Sequence, residues 1–265
     1  MDIVTIILLI AFGILVGIIS SLAGIGGGGF YTSLMTLLFI VPINEARDTS
    51  TFIILLFSAV TFLNYYRQGK IDVKVSLLFA GFALLGSITA SIIFIIFPMD
   101  NTILKIVIAS VILLSGLNMI RKAIKYVNSE RKNNNPLEIE FSYETFEHTS
   151  KLKLGIPLFF LAGFIAYLTG IGGGMLFVPT LSILLEIPIH FATALSSAMI
   201  FFIGIYNATV RMIIGEIHYI FGIILACGAI GGSLIGTKYS DRIPKKHLKY
   251  IVAIILIILA IRMFF

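Results

Sequence analysis

Charged side chains are scarce in this sequence: 12% of its 265 residues, against 58% hydrophobic, with a mean hydropathy of +1.07. Soluble domains carry roughly 25% charge, and a chain folded in water must cover itself with polar residues. A soluble globular fold is therefore excluded, and lipid is the expected solvent. Cysteine is nearly absent as well. Cys227 stands alone, which excludes an intrachain disulfide, a thiolate cluster and a CxxC redox site. The four histidines (His148, His190, His218, His247) are scattered without metal-ligand spacing. Each reads as a loop or interface residue, and neither a metal nor a cofactor is expected.

Catalytic constellations are missing too. No Ser-His-Asp set, paired carboxylates or Walker sequence is present, which argues against an enzyme and against ATP-driven transport within the chain. Proton-coupled pumps usually carry an acidic group or a histidine inside a membrane run. Here Asp48, Glu186, Arg211 and Glu216 all lie near predicted run ends, where a solvated or snorkelling side chain is the default. The net charge of +6 is not spread as a nucleic-acid-binding face would be. Lys and Arg cluster at 67–74, 121–153 and 238–249, the short basic loops of the positive-inside rule. Nucleic acid is excluded as a partner, and membrane lipid is expected. The start, MDIVTIILLIAFGILVGIIS, lacks a basic n-region and is too long for a signal h-region, so a retained first membrane helix is expected.

What is present falls into apolar runs at about 3–23, 29–43, 49–66, 73–97 and 103–120, then 154–169, 175–187, 191–213, 218–237 and 248–264. A full span needs about 20 helical residues. The stretch 29–43 would reach only about 22 Å and 154–169 about 24 Å, so broken or half helices are expected around the glycines.

The two halves align without a gap at an offset of 146 residues. Gly24-Ile25-Gly26-Gly27-Gly28 falls on Gly170-Ile171-Gly172-Gly173-Gly174, Pro42-Ile43 on Pro188-Ile189, Ser50 on Ser196, and Gly86-Ser87 on Gly232-Ser233. Chance apolar similarity would match Leu and Ile, but here glycines, prolines and serines coincide. Loop charge swaps between the copies, with the basic loop after the third run in the first copy and after the fourth in the second. An odd number of elements per repeat inverts the second copy, a recurring plan among secondary transporters. The expected fold is all-α and polytopic, with two inverted repeats of about five helical elements and 8–10 membrane segments. The first repeat covers 1–120 and the second 154–265. Residues 121–153 form a cytosolic connector, in which LEIEFSYETF alternates like a short strand.

Candidate site residues follow from the breaks. Five glycines oppose helix continuation by about 5 kcal/mol, and backbone freed in lipid must find partners in protein or a polar cavity. Bare N–H groups at Gly24, Gly26, Gly27, Gly28 and Gly29, and at Gly170, Gly172, Gly173 and Gly174, suit an anion, the more so at a helix start. Close helix packing is the other reading. It is preferred for Gly13/Gly17 and for Gly228/Gly232/Gly236, whose spacing fits a packing face, whereas consecutive glycines exceed what such a face uses. Thr49, Ser50 and Thr51, matched by Ser196 and Ser197, offer neutral donors to an oxyanion or helix caps. Arg47 and Arg211 could attract an anion. Asn64, Asn207 and Thr209 fit helix–helix hydrogen bonds better. Gly24-x-Gly26-x-x-Gly29 matches a dinucleotide fingerprint literally, but it follows a membrane-length run and Met175 replaces the third glycine in the copy.

At GIGGGGF, GIGGGMLFVP and the P-I-x-x-A pattern after each, the sequence resembles the sulfite exporter TauE/SafE family over nearly the whole chain outside 121–153. The resemblance implies a multi-pass permease of the bacterial or archaeal plasma (inner) membrane. Its implied substrates are small sulfur-containing or organic anions such as sulfite or sulfoacetate. One departure is that Phe177-Val178-Pro179 stands opposite Tyr31-Thr32-Ser33, so the first half-helix is expected to start differently. The leading expectation is an exporter of a small anionic substrate by alternating access. A non-transporting scaffold or sensor, and an anion channel, are the alternatives; a homodimer is left open.

Overall fold

A computed structural model describes residues 3–130, 152–240 and 245–264, and among these every regular element is a helix. The first half holds α1 (Ile3–Ala23), α2 (Gly28–Leu38), α3 (Ile43–Arg67), α4 (Val73–Ile96) and α5 (Asn101–Glu130). The second holds α6 (Leu152–Thr169), α7 (Gly174–Pro179, continued as a π-turn through Thr180–Leu184), α8 (Ile189–Ile214), α9 (Tyr219–Lys238) and α10 (Lys245–Phe264). Helices α1, α3, α4, α8 and α9 are long and apolar enough to cross a membrane. Their outer faces carry aliphatic side chains such as Ile7, Leu77, Leu85, Ile213 and Ile223 in the open, the inverse of a protein built for water.

The five-plus-five order follows the offset down to backbone dihedrals. Gly27 caps α2 at φ 76° and Gly173 caps α7 at φ 75°. Pro42 before α3 and Pro188 before α8 have φ −51° and −52°. Even the two non-glycine residues with positive φ, Ile40 and Glu186, are equivalent positions. The halves interlock reciprocally: α1 packs on α9 as α6 packs on α4, while α3 meets α8 and α5 meets α10. The small-residue spacing makes these contacts. A Cβ at Gly17 would strike Ala229 O and one at Gly232 would strike Ile14 O; the matching pair is Gly163 against Ala83 O and Gly86 against Phe160 O. Gly13, Gly17, Gly228, Gly232 and Gly236 thus all serve the α1–α9 contact, as their spacing predicts.

Helix α1 runs in the same direction as α9, and Phe39, just past α2, stacks edge-on against Phe221 at the start of α9 (5.3 Å). The chain therefore turns back at the glycines, and α1–α2 is a hairpin. At 11 residues α2 spans about 16 Å, half a bilayer core.

Three expectations change. Helix α3 begins at Ile43 rather than near 49, because helix hydrogen bonding continues through the polar Asn44–Thr51 stretch, of which Ala46–Thr51 is buried in protein. Helix α5 continues to Glu130, past the expected end of the first repeat at 120. The two half-helices start alike, with Phe30 and Tyr31 N–H donating to Gly27 O and Leu176 and Phe177 N–H donating to Gly173 O. The difference made by Pro179 comes later. Proline lacks an N–H and crowds the preceding turn, and the helix widens to the π form, with Leu185 N–H donating to Thr180 O. The short strand expected at LEIEFSYETF lies outside the described residues.

Candidate functional site: a paired helix break and a buried arginine pair

The glycine runs form two tight backbone turns that touch each other. Gly24, Gly26 and Gly27 have φ of 68°, 79° and 76°, and Gly170, Gly172 and Gly173 have 66°, 85° and 75°. An L side chain pays about 1–2 kcal/mol for that conformation, which accounts for glycine at these positions. Gly28 abuts Gly170 O, and Gly174 abuts Gly24 O, so neither turn could carry a side chain there without parting the halves. All nine glycines expected at the site are buried. Of the backbone hydrogen bonds around the first break, none uses the N–H of Gly26, Gly27, Gly28 or Gly29 as donor among the described residues. Ser20 Oγ, beside Gly27, is buried and has no hydrogen-bond partner among the described residues.

The hydroxyls sit two turns inside α3 and α8 and cap nothing; the N-caps are Pro42 and Pro188. Their protons are committed to carbonyls. Ser50 Oγ donates to Gly28 O (3.2 Å) and Gly170 O (3.0 Å), and Ser196 Oγ donates to Gly24 O (2.7 Å). Each serine thereby clips the opposite copy's break. Thr51 and Ser197 donate to Arg47 O and Thr193 O in their own helices. Thr49 Oγ1 instead accepts from His218 N–H (2.8 Å). Asn64 makes the expected helix–helix bond, to Thr237 Oγ1, whereas Thr209 bonds Ile205 O in its own helix and Asn207 Oδ1 is buried without a partner among the described residues.

Against the second break stand the two arginines. A Cβ at Gly170 would lie 2.7 Å from Arg47 Cγ. Arg47 Nε donates to Asp48 Oδ1 at 2.7 Å, and Arg211 Nε lies 3.3 Å from the same oxygen. Asp48 Oδ2 accepts from Glu216 N–H, and Arg211 Nη2 donates to Tyr167 O at 3.0 Å. The Phe94 ring lies under both guanidinium groups, 4.5 Å from Arg47 and 5.0 Å from Arg211, and the Tyr167 ring is 4.1 Å from Arg211. Arg47, Asp48 and Arg211 are each 2% exposed. The solvated default for Asp48 and Arg211 is thus overturned, because helix packing, not distance from the run's end, sets their surroundings. Glu186 and Glu216 do lie in the open, Glu216 accepting from Asn44 Nδ2. Two buried cations face one buried carboxylate, and Arg47 Nη1 and Arg211 Nε have no hydrogen-bond acceptor among the described residues. An uncompensated buried cation costs several kcal/mol, and the cluster holds two guanidinium groups against one carboxylate.

At the other end of the bundle the equivalent positions are neutral. Tyr65, matching Arg211, donates its hydroxyl to Ser21 O (2.9 Å), the equivalent of Tyr167 O, and Thr193 matches Arg47. Beside them opens a cleft of about 650 Å³ lined by Asn64, Gln68, Lys70, Leu234, Thr237 and Lys238.

The sequence pattern described as Sulfite exporter TauE/SafE matches residues 9–263. The chain belongs to this family. It is 25% identical to Probable membrane transporter protein YunE of Bacillus subtilis, over 98% of this chain and 97% of that one. It is 27% identical to Probable membrane transporter protein YdhB of the same organism, over 91% and 93%, and 28% identical to a probable membrane transporter protein of Methanocaldococcus jannaschii, over 94% and 91%. No solved structure matches the chain. This TauE/SafE protein is a multi-pass integral protein of the cell membrane and a membrane transporter.

Sequence reasoning on this TauE/SafE chain passed over Asp48 as a partner, and over Tyr167, Phe94 and Ser20 altogether. The one signal for Asp48 was its place beside Arg47 ahead of Thr49-Ser50-Thr51. Nothing local marks Tyr167 or Phe94, since an aromatic near the end of a membrane helix is ordinary.

Proposed function

We propose that the protein exports a small anion, a sulfur oxyanion or organosulfonate, by alternating access. The observation that carries the reading is the surplus positive charge of Arg47, Asp48 and Arg211, buried against the Gly170 break. In this mechanism the basic cleft at Lys70 and Lys238 faces the cytosol and admits the anion. The N–H groups of Gly26–Gly29 and Gly172–Gly174 meet it where the breaks join, and the arginine pair draws it toward the far end. The repeats are inverted across the membrane, so rocking one against the other exposes the junction to each side in turn. The serine clips are the contacts such a motion must loosen. The two serine hydrogen bonds that cross between the copies, each worth about 1 kcal/mol net, hold the breaks together without locking them.

The test is thermal stabilisation of purified protein in detergent by sulfite, thiosulfate, sulfoacetate, taurine and simple carboxylates. A ligand bound only by the folded state at a hundredfold excess over its Kd adds about 2.7 kcal/mol. At least one sulfur anion should raise the melting point, and Arg47→Gln or Arg211→Gln should abolish the rise. Stabilisation by none of them, or undiminished stabilisation in both variants, would sink the proposal. Counterflow in proteoliposomes then separates a carrier, which shows it, from a channel, which does not.

A further inference from the structure

Asp48 stands between the two arginines, its carboxylate shared by both. Arg47 Nε and Arg211 Nε converge on one oxygen, Oδ1 (2.7 and 3.3 Å), and the second oxygen is held by Glu216 N–H (3.2 Å). That leaves two guanidinium groups and one carboxylate, all 2% exposed, with Arg47 Nη1 and Arg211 Nε lacking a hydrogen-bond acceptor among the described residues. Among the described residues, the other groups in contact with the guanidinium groups are neutral: the Phe94 and Tyr167 rings and the carbonyl of Tyr167. Glu216 is the next carboxylate on the loop, but it is exposed and turned to Asn44. The residual charge buried at the site is therefore one.

We propose that Asp48 is a specificity-determining residue that tunes the site to monoanions and against dianions. This rests on reading the cluster as an anion site. In a buried setting a charge mismatch of one unit a few ångströms away outweighs most hydrogen bonds. A monoanion neutralises the cluster; a dianion leaves one negative charge buried without a partner and faces Asp48 itself.

Methanesulfonate and sulfate provide the probes, since both are tetrahedral at sulfur and of similar size but carry one and two negative charges at neutral pH. Their affinities are measured on the purified full chain at fixed ionic strength. The wild type should bind methanesulfonate the more tightly. Asp48→Asn, which adds one unit of positive charge to the site, should move the affinity ratio toward sulfate by at least about tenfold. Asp48→Glu, which keeps the charge, should retain the wild-type ratio. A wild type that binds sulfate as tightly as methanesulfonate overturns the inference without any variant. So does a ratio that Asp48→Asn leaves in place, or one that Asp48→Glu shifts as far as Asp48→Asn. If neither anion binds the wild type, the anion site itself falls, and this inference with it.

Discussion

Ser50 and Ser196 occupy equivalent positions, yet their hydrogen bonds differ in reach. Ser50 serves Gly28 O and Gly170 O, one on each break, while Ser196 serves Gly24 O alone. A buried acceptor that loses its donor costs about 1–3 kcal/mol, so Ser50→Ala should destabilise more than Ser196→Ala. Thr51→Val and Ser197→Ala remove bonds only to carbonyls already used in their own helices and should stay within about 0.5 kcal/mol of wild type. Unfolding midpoints of the four variants in detergent check that order. At the glycines, Gly27→Leu and Gly173→Leu should abolish flux. Each residue has positive φ, and a Cβ there meets Ser20 Oγ at 2.7 Å or Phe177 ring carbons at 2.8 Å. Folded yield has to be measured beside transport, and unchanged flux in both variants would remove the breaks from the mechanism.

Among the elements, the contact between α1 and α9 depends on glycine at defined positions rather than on glycine content. Gly231 and Gly232 are neighbours in α9, but a Cβ at Gly231 meets nothing within 4 Å, whereas one at Gly232 strikes the α1 backbone. Gly231→Ala should be neutral or stabilising by up to about 1 kcal/mol through helix propensity. Gly232→Leu should drive the helices apart and lower the yield of folded protein, read by size-exclusion chromatography. Equal behaviour of the two would contradict the packing. The same scale explains why the break was readable from sequence but its far end was not. Gly24–Gly28 and its copy mark the turn by composition, while Pro179 marks only a disturbed helix and not the form the helix takes beyond it.

In the whole molecule, the reciprocal contacts between copies make the two halves one packed unit. Replacing residues 131–150 with a flexible linker of the same length should leave flux within about twofold of wild type; a loss of function would favour the scaffold or sensor alternative instead. The asymmetry of the two ends is the larger consequence. Position 211 is arginine and its counterpart 65 is tyrosine, and each bonds the equivalent carbonyl, of Tyr167 or Ser21. One end thus holds charge where the other holds a hydroxyl.

Sequence alone determined the membrane setting, the two copies in register, the position of both breaks and the small-residue faces. These follow from composition and spacing, which lipid and helix geometry constrain directly. Tertiary structure alone decided that Arg47, Asp48 and Arg211 are one cluster, that Tyr167 and Phe94 line it, and that the serines clip the opposite breaks. Arg47 and Arg211 are 164 residues apart, and no local pattern carries the information that two run ends meet. Their burial, and with it the surplus charge, arises from the folding of one repeat onto the other.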